Sequence, residues 1–384
     1  MTKPRHTSAD APIRENPPTS ASGERVLSAM SGGVDSSVAT LLLLGQGFQV
    51  TGVTMKLFDN QLLPEGQEST CCSLDDVEDA KAVCRRLGIP HFTLNFKEKF
   101  GACVVDPFCE SYLNGETPNP CINCNRYLKL AGLQQRRREL GAAYVATGHY
   151  VQRAFDEQTG TWQLLRAADA AKDQSYVLYH LTQDDLAHML FPLGGLEKRQ
   201  VRQLAAENDF VNAEKAESQD ICFIPDGDYS RFIQRHMPDA ARQRGFAPGP
   251  IVDETGAARG QHNGLARYTV GQRKGIGIAN PVPLYVTGKD VARNQLLVAP
   301  RDGLLAQEVR LRDVNVISGD YCPRAFGATV KLSYRQQPVA AVVQLLDNRE
   351  ALVCLENPQV RPAPGQAVVA YNRDAVIGGG TVSA

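Results

Sequence analysis

The chain has 384 residues, 43% of them hydrophobic and 22% charged, which excludes a mostly disordered protein and suggests two or three domains. No apolar run approaches the ~18 residues needed to span a bilayer; the densest short one, 38–44, has seven. Lys and Arg number 41 against 42 Asp and Glu, a net charge of -1; this excludes a uniformly basic protein and counts against a nucleic-acid substrate.

Residues 1–24 are rich in Pro, Ser, Thr and Ala without apolar period and read as a disordered tail. Asp10, Glu15 and Glu24 argue against a transit peptide, which avoids acids. Residues 25–30 read as a short buried strand. A glycine-rich turn, 31–37, leads into an apolar helix over 38–44, with Gly45 as its C-cap. Residues 48–56 are β-branched and read as a second strand. Leu74, Val77, Ala80, Val83, Cys84 and Leu87 recur at helical spacing, and Gly88 stops that helix. A third strand is expected at 91–95, a helix at 126–140 and a further strand at 143–147. Such alternation predicts an α/β domain with a parallel sheet, whose ligands bind beyond the carboxyl ends of the strands. Both the glycine turn and Thr147-Gly148-His149 fall at that edge.

Past about residue 215 the texture changes. Short apolar runs at 285–287, 295–299, 328–332, 339–345, 351–355 and 367–371 alternate with turn signals. From about 296 this predicts an all-β unit, a small barrel or sandwich. The expected division is a tail at 1–24, a nucleotide domain at 25–215, a small central domain at 216–295 and a β-barrel at 296–384.

Ser31-Gly-Gly-Val-Asp-Ser-Ser37 between a strand and a helix is a phosphate cradle. Glycines let the backbone approach, and exposed amides with the helix N-terminus attract anionic oxygens. The hydroxyls add donors, and Asp35 is placed to hold Mg²⁺. The string is neither a Walker A loop nor a dinucleotide fingerprint. It resembles the pyrophosphate loop of the N-type ATP pyrophosphatases, which activate a carbonyl or carboxyl oxygen by adenylation. That resemblance implies ATP chemistry but leaves the acceptor open.

Ten cysteines are too dilute for a disulfide scaffold, and no secretory signal precedes them; reduced thiols in a cytoplasmic protein are expected. Three stand in motifs. Thr117-Pro-Asn-Pro-Cys121-Ile-Asn-Cys124-Asn125 is a rigid turn ending in C-x-x-C at the start of a helix, where thiolate is favoured. Glu217-Ser-Gln-Asp-Ile-Cys222-Phe-Ile224 supplies the third. A zinc half-site would need a second C-x-x-C or paired His, and neither is present. Cys71-Cys72 reads as loop and Cys84 as core. Cys103, Cys109, Cys322 and Cys354 carry no motif.

Together these strings resemble the tRNA-specific 2-thiouridylases. The matching segments are 29–36, 52–56, 117–125, 146–150, 172–176, 190–192, 218–224, 269–277 and 334–336, in family order. The resemblance implies a pyrophosphate-loop domain, a small central domain and a C-terminal β-barrel. It implies replacement of the C2 oxygen of the wobble uridine by sulfur in tRNAs for Lys, Glu and Gln. ATP would be held by Ala29, Met30, Ser31, Gly32, Gly33, Val34, Asp35 and Ser36, with Met55 and Gly148 at the adenosine end. Asn119, Pro120 and Cys121 would lie against the target base. Cys124 matches the nucleophile and Cys222 the persulfide carrier. His149, Lys172, Asp173, Gln174, Ser333, Tyr334, Arg335 and Gln366 match tRNA-contacting positions.

On that reading ATP turns the uridine oxygen into a good leaving group, a Cys222 persulfide delivers sulfur, and Cys124 resolves the pair as a disulfide. A mobile loop carrying Cys222 would let the thiols meet. The sulfur comes from a relay protein or free sulfide, and the protein is expected to be a monomer away from membranes. Where the family pattern has Asp in the first C-x-x-C position, this chain has Cys121. Three thiolates are the ligand set of a [4Fe–4S] cluster with one open iron, so cluster ligation by Cys121, Cys124 and Cys222 stands beside the persulfide route. Residues 226–300 hold ten Lys and Arg against six Asp and Glu, and Gly271-Gln-Arg-Lys-Gly275 within them suits phosphate contact. Arg136-Arg-Arg138 suits a helix C-terminus. Two other classes stay open. Another adenylating synthetase would need neither three cysteines nor a β-barrel. A non-catalytic RNA-binding protein would show a degraded loop.

Overall fold

The computed structural model describes residues 23–58, 74–216, 221–319 and 322–383. The tail expected at 1–24 therefore falls outside it up to residue 22, as do Cys71-Cys72 and 217–220. Gly23 and Glu24 already belong to the fold, pairing with Gly47 and Gln49.

The first unit runs β1 (Arg25–Ala29), α1 (Val34–Gly45), β2 (Gln49–Lys56), α2 (Leu74–Arg86), β3 (His91–Asn95), a helical stretch and β4 (Tyr144–Ala146). A hairpin of β5 (Val151–Asp156) and β6 (Thr161–Arg166) follows, then β7 (Met189–Leu190). The sheet order is β3-β2-β1-β4-β7, with every pairing parallel. The chain builds outward from β1 to β3, then restarts on the other side with β4. The switch point between β1 and β4 is where such sheets open a ligand crevice.

Strand and helix sequences explain the packing. Val26, Leu27 and Ser28 of β1 are buried, and the Ser28 hydroxyl bonds that of Thr40 on α1 at 2.7 Å, satisfying both buried groups. The apolar stripe of α2, Val77, Ala80, Val83 and Cys84, lies on the sheet as its spacing predicts. Gly52 permits this: a Cβ there would sit 2.5 Å from the Cys84 sulfur. α1 begins four residues earlier than its apolar run, and Gly45 is its last helical residue rather than its cap. Gln46 caps it, and Gly47 takes the left-handed turn at φ 88. The expected 126–140 helix is longer and changes winding: α-helical at Pro120–Asn123, π-helical at Cys124–Leu130, α-helical again at Ala131–Leu140. Arg137 near its end is buried, bonding Gln134 and the Ala142 and Ala143 carbonyls.

Helices Tyr229–His236 and Asp239–Phe246 lead to a four-stranded sheet of β8 (Gly249–Val252), β9 (Ala258–His262), β10 (Tyr285–Asp290) and β11 (Gln295–Ala299). The last unit holds β12 (Leu305–Val316), β13 (Ala325–Lys331), β14 (Val339–Leu345), β15 (Ala351–Val360), β16 (Ala367–Asn372) and β17 (Ala375–Val382). These six pair in the order β12-β15-β14-β13-β16-β17, and β12 also pairs with β17, closing a barrel. The β5–β6 hairpin joins the same sheet through β17, Ala375 facing Leu165. Val151, Leu164 and Tyr176 share a core with Ala367, Val369, Tyr371 and Val376. No helix among the described residues is long and apolar enough to cross a membrane.

Candidate active site

The carboxyl ends of β1, β2 and β4 open into a cavity of about 350 Å³. Its walls are Ala29, Met30, Ser31, Asp35 and Ser36 from the glycine turn, Met55 and Leu57 from the end of β2, and Thr147, Gly148 and His149 after β4. Pro120, Cys121, Cys124 and Lys129 come from the C-x-x-C helix, and Ile221, Cys222 and Phe223 from the distant third motif. One space thus gathers the phosphate loop and all three motif cysteines.

The glycine turn is bound to itself. The Ser36 hydroxyl accepts from the Ser31 amide and donates to the Gly33 carbonyl, and the Ser37 hydroxyl donates to the same carbonyl. Gly32 holds φ 77, and a Cβ there would fall 2.3 Å from the Asp76 carbonyl oxygen. Gly148 closes the other side, where a Cβ would fall 2.9 Å from the Ser36 amide nitrogen. Asn212 and Lys198, unmarked by sequence reasoning, complete the scaffold with Tyr150 of the 146–150 segment. Asn212, 2% exposed, donates to the Gly32 carbonyl and the Ser37 hydroxyl. Lys198 and the Tyr150 hydroxyl donate to one oxygen of Asp35, at 2.6 and 2.8 Å. Both contacts fall on Oδ1 of Asp35. No motif flags Lys198 or Asn212, because each reaches the loop from more than 160 residues away.

The Asn119 side chain caps the C-x-x-C helix by accepting from the Cys121 amide at 3.1 Å, with Pro120 at the first helical position. Cys121 is exposed, Cys124 buried and Cys222 half-buried. Phe223, 1% exposed, packs edge-on against Phe100 and Phe108, so Cys222 hangs beside an aromatic anchor. Although the three thiols share the cavity, no three His, Cys, Asp or Glu among the described residues are gathered to hold a metal ion. Cys84 and Cys109 are core, and burial pushes their thiols up to about 11 and 12.

The expected tRNA-contacting residues separate into three places. His149 lines the catalytic cavity, its Nδ1 2.8 Å from the Thr147 hydroxyl. Asp173, Tyr334 and Arg335 border a second cavity of about 720 Å³ between the hairpin and the barrel, together with Arg166 and Lys331. The Asp173 carboxylate accepts from the Ala167 and Ser175 amides, and Gln174 accepts from the Tyr150 amide. Gln366 donates to the Thr117 carbonyl at 2.6 Å, bracing the C-x-x-C segment from the barrel.

Burial pushes His149 down to about 3, helped by the charge of Lys129, and pushes His180, 7% exposed, down to about 3 as well. The unfolded chain protonates such rings near pH 6.5, the folded one only near 3. Their contribution to stability is complete above the upper value and lost as pH falls towards the lower. Denaturant unfolding at pH 7 and 4.5 is expected to show a large acid loss, reduced in His180→Phe. An equal loss in that variant would exclude His180 as a source.

Three family profiles cover the chain: "tRNA methyl transferase HUP domain" at 24–226, "tRNA methyl transferase PRC-barrel domain" at 231–300 and "Aminomethyltransferase beta-barrel domain" at 306–382. Similar proteins include the tRNA-specific 2-thiouridylase MnmA of Heliobacterium modesticaldum, 46% identical over 94% of this chain and 92% of that protein. The protein of the same name from Geobacter metallireducens is 46% identical over 94% of this chain and 97% of its own. Among solved structures, a 4-thiouridine synthetase–RNA complex with bound ATP matches at TM-score 0.35 and 17% identity, over 57% of this chain and 52% of that one; so low a score carries no argument.

Proposed function

From the premise that this chain belongs to the tRNA-specific 2-thiouridylase family, we propose the chemistry by which it thiolates tRNA. The protein is an ATP-using tRNA-uridine 2-sulfurtransferase. That overturns the expectation drawn from its net charge. Near-neutrality is an average, and the excess of cations over 226–300 is local. In that stretch Arg273 and Lys274 are exposed, on a loop whose Thr269 meets the Thr117 hydroxyl of the C-x-x-C segment.

The observation that carries the mechanism is the shared cavity. ATP lies along 29–36, with Met55 and Gly148 at the adenosine end, and the wobble uridine of a Lys, Glu or Gln tRNA enters against Asn119, Pro120 and Cys121. The C2 oxygen attacks the α-phosphorus and pyrophosphate leaves. The terminal sulfur of a Cys222 persulfide then attacks C2, and AMP departs with the former oxygen. The Cys124 thiolate attacks the Cys222 sulfur and breaks the S–S bond. The electron pair passes to the transferred sulfur as the thiocarbonyl forms, leaving a Cys124–Cys222 disulfide. A dithiol reductant resets the pair and a relay protein transfers the outer sulfur of its own persulfide to Cys222, its thiol leaving; free sulfide enters instead by attacking the Cys222 sulfur of the disulfide, which forms the persulfide and releases Cys124 as thiolate. The second cavity, with Arg166, Lys331 and Arg335 on its border, seats tRNA backbone through these cations. The protein works as a monomer in the cytoplasm.

Anaerobically purified protein, supplied with ATP, tRNA, a sulfur source and reductant, is expected to form 2-thiouridine while holding far less than one cluster of iron and sulfide per chain. Activity that rises and falls with bound iron would replace the persulfide route by the cluster.

A further inference from the structure

The barrel grips the approach to the C-x-x-C helix. Residues 116–119 belong to no helix or strand, and Pro118 and Pro120 have no N–H to donate. The loop between β15 and β16 supplies what the stretch lacks. The Thr117 amide donates to the Pro364 carbonyl at 2.7 Å, and the Thr117 carbonyl accepts from Gln366 at 2.6 Å. Gly365 lies between them at φ 87, where a Cβ would fall 2.9 Å from the Glu116 Cβ.

A second grip comes from β12. Arg312 Nη2 donates to both carboxylate oxygens of Glu116, at 2.8 and 2.9 Å. Asp313, the next residue, accepts from Arg126 through one oxygen and from Arg349, at 2.8 Å, through the other. Neighbours on a regular strand point to opposite faces. This strand is not regular here: its register against β17 shifts between Arg312 and Asn315, and Asp313 stands at φ 51. A left-handed residue other than glycine is uncommon, and bulges re-aim side chains. Glu116 and Arg126 bracket Asn119–Cys124, so two consecutive barrel residues hold the turn just before and just after its functional positions. The barrel offers a cation then an anion, and the turn an anion then a cation, so a single seating is matched.

We propose that this bulge is a clasp. Arg312 and Asp313 are positioning residues for thiolation, holding the C-x-x-C turn through Glu116 and Arg126 where the uridine meets it. The role rests on the target-base reading of Asn119, Pro120 and Cys121 above. None of the four clasp residues lines the cavity of the phosphate loop, so the clasp acts on the uridine side of the reaction and leaves ATP binding alone.

The test is the steady-state kinetics of 2-thiouridine formation by the full-length protein with ATP, tRNA and sulfide, beside a thermal melt. In Arg312→Met, kcat is expected to fall about tenfold, because small misplacements of a reacting group are costly. The KM for ATP and the melting temperature hold. Asp313→Asn, which tolerates the left-handed backbone, is expected to do the same. The reversed pair, Arg312→Glu with Glu116→Arg, recovers most of the lost rate. Arg324→Met, which breaks an exposed barrel ion pair with Asp347, changes nothing. Glu116→Gln replaces Arg312→Met should that variant melt early. An unchanged kcat in a folded variant overturns the proposal. So does a loss that the reversed pair leaves in place, or one shared equally with the KM for ATP. Loss in Arg312→Met together with full activity in Asn119→Ala would keep the clasp and sink the target-base reading instead.

Discussion

Cys222→Ala is expected to abolish 2-thiouridine formation, by on the order of 10³-fold or more, while pyrophosphate release from ATP in the presence of tRNA persists. The separation follows from where the side chain sits. Cys222 is half-buried at the cavity wall, whereas its neighbours Phe223 and Ile224 carry the packing, at 1% and 2% exposure. Removing one sulfur leaves that anchor, the phosphate loop and the target-base segment in place. The loss therefore falls on delivery of sulfur, not on folding or activation. Mass spectrometry of nucleosides from treated tRNA, beside a pyrophosphate assay, checks both halves. Normal 2-thiouridine formation by the variant would end the mechanism; loss of pyrophosphate release as well would place Cys222 in the activation step.

Gly32→Ala is expected to fail one step earlier. The residue lies at φ 77, which a side chain rarely adopts. Its new Cβ would lie 2.3 Å from backbone of the first turn of α2, which no rotamer change can relieve. The neighbouring Asp76 carboxylate is tied to Lys215 at 2.7 Å, and Asn212 grips the Gly32 carbonyl. The loop must therefore shift away from a scaffold that does not yield. A displacement costing about 3 kcal/mol lowers the rate about 100-fold, and ATP-dependent pyrophosphate release should fall by that order. Transfer of outer sulfur to Cys222 from a persulfide donor should survive. Wild-type pyrophosphate release in this variant would mean that the turn does not hold the phosphates.

What could be read from the residues was whatever is written locally. The period of Val77, Ala80, Val83 and Cys84 marks a helix face, and a strand–turn–helix string of glycines and serines marks a phosphate loop. Both are consequences of neighbours in the chain. The C-x-x-C turn was legible for the same reason, since Asn119 and Pro120 cap the helix they precede. Lys198 and Asn212 were not, because nothing near them in sequence shows that they reach Asp35 and Gly32. Gly45 looked like a helix stop, but Gly47 takes the left-handed turn. The π winding over Cys124–Leu130 was hidden as well, since apolar spacing does not distinguish it from α. Gln366 matched a tRNA-contacting position, and the structure shows it bonding the Thr117 carbonyl within the fold.

The hairpin β5–β6 belongs by sequence to the nucleotide unit and by hydrogen bonding to the barrel. The chain is therefore not a string of exchangeable modules. A recombinant joining two relatives between residues 300 and 306 would give each barrel a foreign strand partner at Leu164 and Leu165, and a foreign lining around Tyr176 and Tyr371. Only crossovers upstream of residue 151, which carry 151–180 along with the barrel, preserve that seam. Inheritance of 151–384 as a block is the expected outcome, because an exchange between the hairpin and the barrel breaks the joint that holds them together.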